Sequence, residues 1–355
     1  MNCKNTQNFS SLFLLFTLTT VSCQELTFKD KEFEKALVSE KFDLNRNGKI
    51  EKEEAEKIEK IFSMSSSFAV TSIEDIKLLP NLTFFSIDGK NLKNISIKNL
   101  PKLEAFKCWS CELESAEFIN LPNLKEIELN KNNLRSLNTE KIDNLEKLFL
   151  DENKFTEFKP ELFPNLKSLH ISYNKLKKIN ISKNNALEWF SASSNELENI
   201  DFSKNPKLST IFLYNNQLKT VNLSKNIALI LLDLNHNQIS KIDVSANKNL
   251  IELELQENLL TVINTSSNPE LINLYLNDNR ISDLDVSKNT KLKYIRISRN
   301  PLKSLNISNN INLETVDLIE NKPVDIKKTN GANTEILYDY PTNVPPPSTR
   351  LINKK

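Results

Sequence analysis

From Leu82 onward a leucine returns every 21 residues, at 82, 103, 124, 145, 166, 187, 208, 229, 250, 271, 292 and 313. Twelve such units, without one insertion or deletion, occupy residues 82–333, or 252 of the 355. A period of this length means a solenoid: one unit cannot bury its apolar face alone, so each stacks on its neighbours. Chains of this kind present extended binding surfaces, and an enzyme is the less expected outcome.

The tenth unit shows the pattern. Leu271, Leu274, Leu276, Ile281 and Leu284 stand at unit positions 1, 4, 6, 11 and 14, with Asn279 at position 9. Apolar residues alternating at positions 4 and 6 predict a short half-buried strand. The string LxxLxLxxNxI resembles the leucine-rich repeat, and the resemblance covers the whole of 82–333. It implies a leucine-rich repeat solenoid, an α/β-type superhelix whose strands line a parallel concave β-sheet. At ~4.8 Å per strand, twelve repeats give a sheet on the order of 55 Å long. The ten or so residues left for the convex side cannot hold a full helix and two turns, so 3₁₀ or extended backbone is expected there.

Position 9 is Asn in ten repeats, from Asn132 to Asn321, and Lys90 and Cys111 are the exceptions. A turn at this place buries backbone N–H and C=O groups between coils, and an amide that both donates and accepts can satisfy them as a ladder. Repeats five to eleven also carry Ser at position 17 and Asn at position 19, as in Asp285-Val286-Ser287-Lys288-Asn289. Their second half echoes the first, as if two half-units were nested.

Charge and composition narrow the function. Lys and Arg number 47 against 46 Asp and Glu, so no long-range field favours nucleic acid or an anionic membrane. Three glycines cannot build phosphate-cradling loops, which argues against nucleotide chemistry. Residues 1–23 are expected to be a signal peptide, with Lys4 ahead of a ten-residue apolar core, Leu12 to Val21, too short to span a membrane. Thr20-Val21-Ser22-Cys23 resembles a bacterial lipobox, which implies lipidation of Cys23 and anchoring as an outer-membrane lipoprotein. Simple secretion and an uncleaved anchor are the other two readings. Cys108 and Cys111 form a lone CxxC. In extended backbone their Cα atoms would lie ~10 Å apart, too far for a disulfide, so buried free thiols are expected.

Ahead of the repeats, Asp43 to Glu54 fit a twelve-residue EF-hand loop. Asp43, Asn45 and Asn47 take positions 1, 3 and 5, Lys49 would give its carbonyl at 7, Glu51 takes 9 and Glu54 is the bidentate carboxylate at 12. Gly48 permits the bend, and calcium is the expected ligand. Phe33, Leu37, Val38 and Phe42 before the loop, and Ala55, Ile58, Ile61 and Phe62 after it, predict two helices. Similar helical caps begin the solenoids of internalin-like bacterial surface proteins, and the resemblance implies a structural cap over an exposed strand edge. The expected divisions are a 24–64 helical cap, a 65–81 transitional half-repeat, the 82–333 repeats, and 334–355 as a last strand (Glu335 to Tyr340) and a disordered Pro-rich tail. No anchor or catalytic domain is expected in that tail.

If positions 3, 5, 7 and 8 face the concave side, they include both Trp and both His of the chain. His170, Tyr173, Trp189, Phe212, Tyr214, Leu231 and His236 fall in repeats five to eight as one patch. An acidic run follows (Asp233, Glu252, Glu254, Glu257 and Asp278), with Tyr275, Tyr294, Arg296 and Arg299 beside it. Aromatic residues also suit strands for packing alone, but a grouped, exposed set marks an interface. The expectation is a monomeric extracellular or cell-surface binding protein that grips a protein or peptide ligand. Glycan binding is the alternative, and no catalytic triad recurs at recognisable spacing.

Overall fold

The computed structural model describes residues 24–62, 68–89, 91–329, 333–338 and 349–352. Cys23, Lys90 and the prolines at 341 and 345–347 lie outside the described residues, so the lipobox reading is not placed in the fold. The chain divides into two compact units, Met1–Leu145 and Glu146–Lys355. Among the described residues no helix is long and apolar enough to cross a membrane.

The first unit is built outward from two aspartates. Asp30 caps helix α1 (Lys31–Ser39), one carboxylate oxygen accepting from the N–H groups of Glu32 and Phe33. Its other oxygen accepts from the N–H groups of Thr71 and Ser72, each at 2.8 Å. Buried Asp75, in the 3₁₀ turn Glu74–Leu78, accepts in return from the N–H groups of Lys29 and Asp30. Beneath these ties Phe28, Phe33, Phe85, Phe106 and Phe118 form one row, with successive centroids 6.2, 6.4, 5.5 and 5.2 Å apart.

The second predicted helix is one turn long, Lys52–Ala55. Ile58 is buried as the chain turns away, and Lys60–Ile61 pairs as a parallel strand with Phe84–Asp88. Pairing the open edge of the first repeat satisfies backbone groups that a helix would leave exposed, which is why strand wins over helix here. Phe62, expected on an inward helix face, is instead 70% exposed and lies against Phe84. Ala105–Trp109 and Glu126–Glu128 continue this sheet in parallel register.

In the second unit ten strands follow in chain order, from Lys147–Phe149 and Ser168–His170 to Thr315–Asp317 and Glu335–Leu337. Each pairs with the next at an offset of 21 residues, Phe149 with His170 and Phe212 with Asp233. The last step, Thr315 to Glu335, is 20. The opposite side of the second unit is mostly turns and extended backbone, with 3₁₀ at Pro160–Leu162 and strands at Ser304–Asn306 and Asp325–Thr329. In the first unit it carries strands at Asn94–Lys98, Ser115–Ile119 and Leu137–Glu140. Of the tail expected to be disordered, the described residues Thr349–Ile352 pair in parallel with Asp325–Thr329, where that strand still offers a free edge; the rest lies outside the described residues.

Two asparagine ladders hold the second unit. Asn216 at position 9 accepts from the N–H of Leu197 and donates to the carbonyls of Ala192 and Leu213, one coil back and within its own turn. The same set recurs at Asn174, Asn195, Asn237 and Asn258. Position 8, just before the ladder position, is left-handed in all twelve repeats, with φ from 51 to 59°. Gly89 takes that conformation without strain and Asn215 and Asp278 tolerate it; at the other positions it costs about 1–2 kcal/mol. It is what turns the amide inward. Position 19 supplies the second ladder. Asn205, Asn226, Asn247 and Asn268 are fully buried, and each donates to two carbonyls, 21 and 24 residues earlier.

The left-handed turn also overturns the expectation of free thiols. Ser110 has φ 54°, so the backbone folds back instead of extending, and the Cα atoms of Cys108 and Cys111 are 5.9 Å apart. The two form a disulfide, both residues fully buried. Asn132 of the following repeat accepts from the Cys111 N–H, so the ladder continues past the cysteine.

Candidate functional site

Odd-numbered positions of each strand face outward because alternate residues go to the core. In the second unit this lines up two columns across neighbouring strands. Position 5 reads Phe149, His170, Ser191, Phe212, Asp233, Glu254, Tyr275 and Arg296. Position 3 reads Ser168, Trp189, Thr210, Leu231, Glu252, Asn273 and Tyr294.

The aromatic half of this face is one continuous row. Phe149 lies 4.6 Å from His170, His170 stacks on Trp189 at 5.7 Å, and Trp189 meets Phe212 at 5.7 Å. Phe149 was absent from the patch read off the sequence, although its place in the position-5 column marks it. The Trp189 indole is 40% exposed. Tyr173 and Tyr214 reach across the sixth repeat and hydrogen-bond through their hydroxyls, rings 6.2 Å apart. Burial holds the His170 imidazole down at about 4, so it is neutral at physiological pH, with Nε2 3.0 Å from the Ser168 hydroxyl.

The acidic run separates into two groups. Glu257 and Asp278 sit at position 8, in the turns beyond the strands, and both are paired: Glu257 lies 2.7 Å from His236 Nε2, and Asp278 takes a two-pronged contact from Arg299. Arg299 also approaches Glu320 at 3.5 Å. Asp233, Glu252 and Glu254 stand on the strands themselves, and among the described residues they have no cationic partner. Amides stand in for one: Asn235 and Gln256 donate to Glu254, and Asn273 to Glu252. Burial, followed by repulsion from Glu254 and Glu252, pushes Asp233 up to about 7. Burial raises Glu252 as well, with the contact to Glu254 adding to it. Next along, Arg296 lies over the Tyr275 ring at 5.0 Å. Tyr294 donates to Glu314 at 2.5 Å.

Not every candidate joins this site. Trp109 belongs to the first unit, where Lys131 covers its ring at 4.9 Å and Lys107 pairs with Glu126 and Glu128.

The 43–54 loop forms a second candidate site. Gly48 takes φ 84°. Asp43 accepts from the N–H of Gly48 at 2.8 Å and of Asn47 at 3.2 Å. Glu54 accepts from the N–H groups of Leu44, Asn45 and Glu51. The Asn45 and Asn47 amides both donate to Glu51. Burial raises Glu54, and the hydrogen bond with Glu51 raises it further. Glu51 feels the same burial, yet the bonds from Glu54, Asn47 and Asn45 outweigh it and lower its pKa. Ile50 is buried, and the loop pairs through Glu51 with Glu25 of the preceding segment, in antiparallel sense. Among the described residues no three Asp, Glu, His or Cys groups gather as a metal site by themselves. An ion here would draw on amide and carbonyl oxygens as well.

No protein-family model and no curated sequence matches the chain. Solved structures do. A leucine-rich repeat protein of Leptospira interrogans superposes with a TM-score of 0.66 at 22% identity, over 78% of this chain and 75% of that one. An internalin (inlF) of Listeria monocytogenes gives 0.66 at 19%, over 92% and 91%. The plant peptide hormone receptor RGFR1, in complex with RGF2, gives 0.51 at 17%, over 79% and 54%. The fold is a leucine-rich repeat solenoid, similar to bacterial internalins.

Proposed function

We propose that this chain is an extracellular or cell-surface protein that binds a protein or peptide ligand on the open face of the sheet in its second unit. The carrying observation is the juxtaposition of the Phe149–Phe212 aromatic row with three strand carboxylates that have no cationic partner among the described residues. Buried charge without a partner is costly, and a lysine or arginine from a ligand would relieve it. Exposed aromatic rings beside such a point form the kind of anchor that dominates interfaces. The similar plant peptide hormone receptor RGFR1, solved in complex with RGF2, supports such a role for this fold.

The leading segment would carry the chain out of the cell, with a lipid on Cys23 as its anchor. The 43–54 loop would act as a calcium-binding structural cap. Asp43, Asn45, Asn47, Glu51, Glu54 and the Lys49 carbonyl are hard oxygen donors of the kind calcium takes. An ion would relieve the crowding of Glu51 against Glu54. Glycan binding is the second reading, favoured by the exposed Trp189 ring. Capture of partners from an extracellular protein pool by the chain and by Glu252→Gln/Glu254→Gln tests the first. A partner lost from the variant supports it; a partner held equally by both contradicts it. Strong hits on a glycan array would favour the second.

A further inference from the structure

Position 2, the residue just before each strand, is polar in nine repeats, as at Glu104, Lys125, Glu188 and Lys293. In the three consecutive repeats eight to ten it is isoleucine: Ile230, Ile251 and Ile272. Ile230 is 43% and Ile251 38% exposed, and Ile227 beside them is also exposed. Repeats eight and nine also carry Asp233, Glu252 and Glu254, which have no cationic partner among the described residues. In repeats eight and nine the carboxylates follow the isoleucine by one to three residues, so they stand within ~10 Å of it.

The backbone of this ridge is already used. The N–H groups of Ile251 and Ile272 donate to the carbonyls of Ile230 and Ile251, both at 2.9 Å. A partner therefore cannot add itself as a strand here and must engage through side chains. Spacing then selects its conformation. Neighbouring coils repeat at ~4.8 Å. Same-face residues of an extended chain recur at ~6.7 Å and drift out of phase within three coils. In a helix, residues three and four apart recur at ~4.5 and ~6 Å, so i, i+3 or i+4 and i+7 span ~10.5 Å. Three isoleucines span ~9.6 Å on the same coil spacing.

We infer that the Ile230–Ile251–Ile272 ridge seats a basic amphipathic helix of a partner protein, its apolar stripe on the isoleucines and its lysines or arginines turned to Asp233, Glu252 and Glu254. This rests on the ligand-binding reading above and names the partner's chemistry. Charge complementarity fixes the sign, since a helix with acidic flanks would meet three uncompensated carboxylates.

The probes are three synthetic 14-residue peptides of defined pattern, titrated against the full chain by fluorescence anisotropy. One has leucines at helical spacing flanked by lysines, one the same composition with leucines alternating, and one glutamate for lysine. The first should bind at least tenfold more tightly than either of the others. Ile251→Asp with Ile272→Asp should weaken it at least tenfold, whereas Ile311→Asp, exposed in repeat eleven, should leave it within twofold. Melting curves verify that each variant folds. Equal binding of the alternating or acidic peptide, no binding by any peptide, or an undiminished Ile251→Asp/Ile272→Asp variant would overturn the inference. The wider reading fails separately, if a partner captured from the extracellular pool survives loss of the aromatic row.

Discussion

The Trp189 indole stacks on the His170 imidazole across two adjacent strands, centroids 5.7 Å apart and planes 18° from parallel. The pair joins a ring that reports its surroundings to one that can change charge.

Burial holds His170 at about 4 against an ordinary 6.5. Above 6.5 both folded and unfolded states are neutral there. Between about 4 and 6.5 the unfolded chain takes the proton and the folded one does not, so this residue makes stability fall as pH falls through that window. In a Trp109→Phe background, Trp189 fluorescence should titrate with a midpoint near 4. A midpoint near 6.5 would mean the imidazole is solvated.

Asp233 works in the other direction. Its carboxyl is raised from 3.8 to about 7, so between those values the folded state keeps a proton that the unfolded state has lost. Stability therefore falls as pH rises through the window. Asp233→Asn keeps an oxygen for the Asn235 N–H and removes the charge. Its melting temperature should exceed that of the parent by a few degrees at pH 8, with little difference at pH 4. Equal curves at pH 8 would show that the acidic trio carries no strain.

The position-19 ladder leaves the Oδ1 atoms of Asn184, Asn205, Asn226, Asn247, Asn268 and Asn310 buried without a hydrogen-bond donor. Asn289 differs because the Thr265 hydroxyl, 24 residues earlier, donates to it at 2.8 Å. Val244 holds the corresponding place for Asn268, as its carbonyl contact shows. A threonine in a core ordinarily destabilises. Here Val244→Thr should be neutral or stabilising by roughly 1 kcal/mol, measured by denaturant unfolding. A loss of that size would contradict the pairing.

For the 43–54 loop, calcium should raise the melting temperature and chelation should lower it. Glu54→Ala should remove the response, since Glu54 accepts from three loop N–H groups and would be the bidentate ligand. A chelation-insensitive melt in the parent chain would leave the loop as a hydrogen-bonded turn only.

Much of this was legible in the residues. The 21-residue period and the alternation within Leu274-Tyr275-Leu276 give strand, register and solenoid together, because one periodicity sets all three. The position-9 asparagines announced a ladder for the same reason. What escaped depends on backbone turns that side-chain patterns do not encode. Left-handed position 8 moves Glu257 and Asp278 off the strands and into reach of His236 and Arg299, and it brings Cys108 to Cys111. The strand at Lys60–Ile61 was hidden because Ile58 and Ile61 also fit a helix face. The pairing of an exposed edge, a tertiary demand, decided between them. Ile230, Ile251 and Ile272 stood in the sequence at one repeat position, but the exposure of Ile230 and Ile251 became visible only in the fold.

The most direct test of the account is quantitative partner capture with the Trp189→Ala/Tyr214→Ala chain, which breaks both the stacked row and the tyrosine bridge while leaving the core leucines and ladders in place. With folding verified by melting, the account predicts that the partner held by the parent chain is lost, its affinity falling at least a hundredfold. Capture at parental affinity would contradict it and place the binding site on another face.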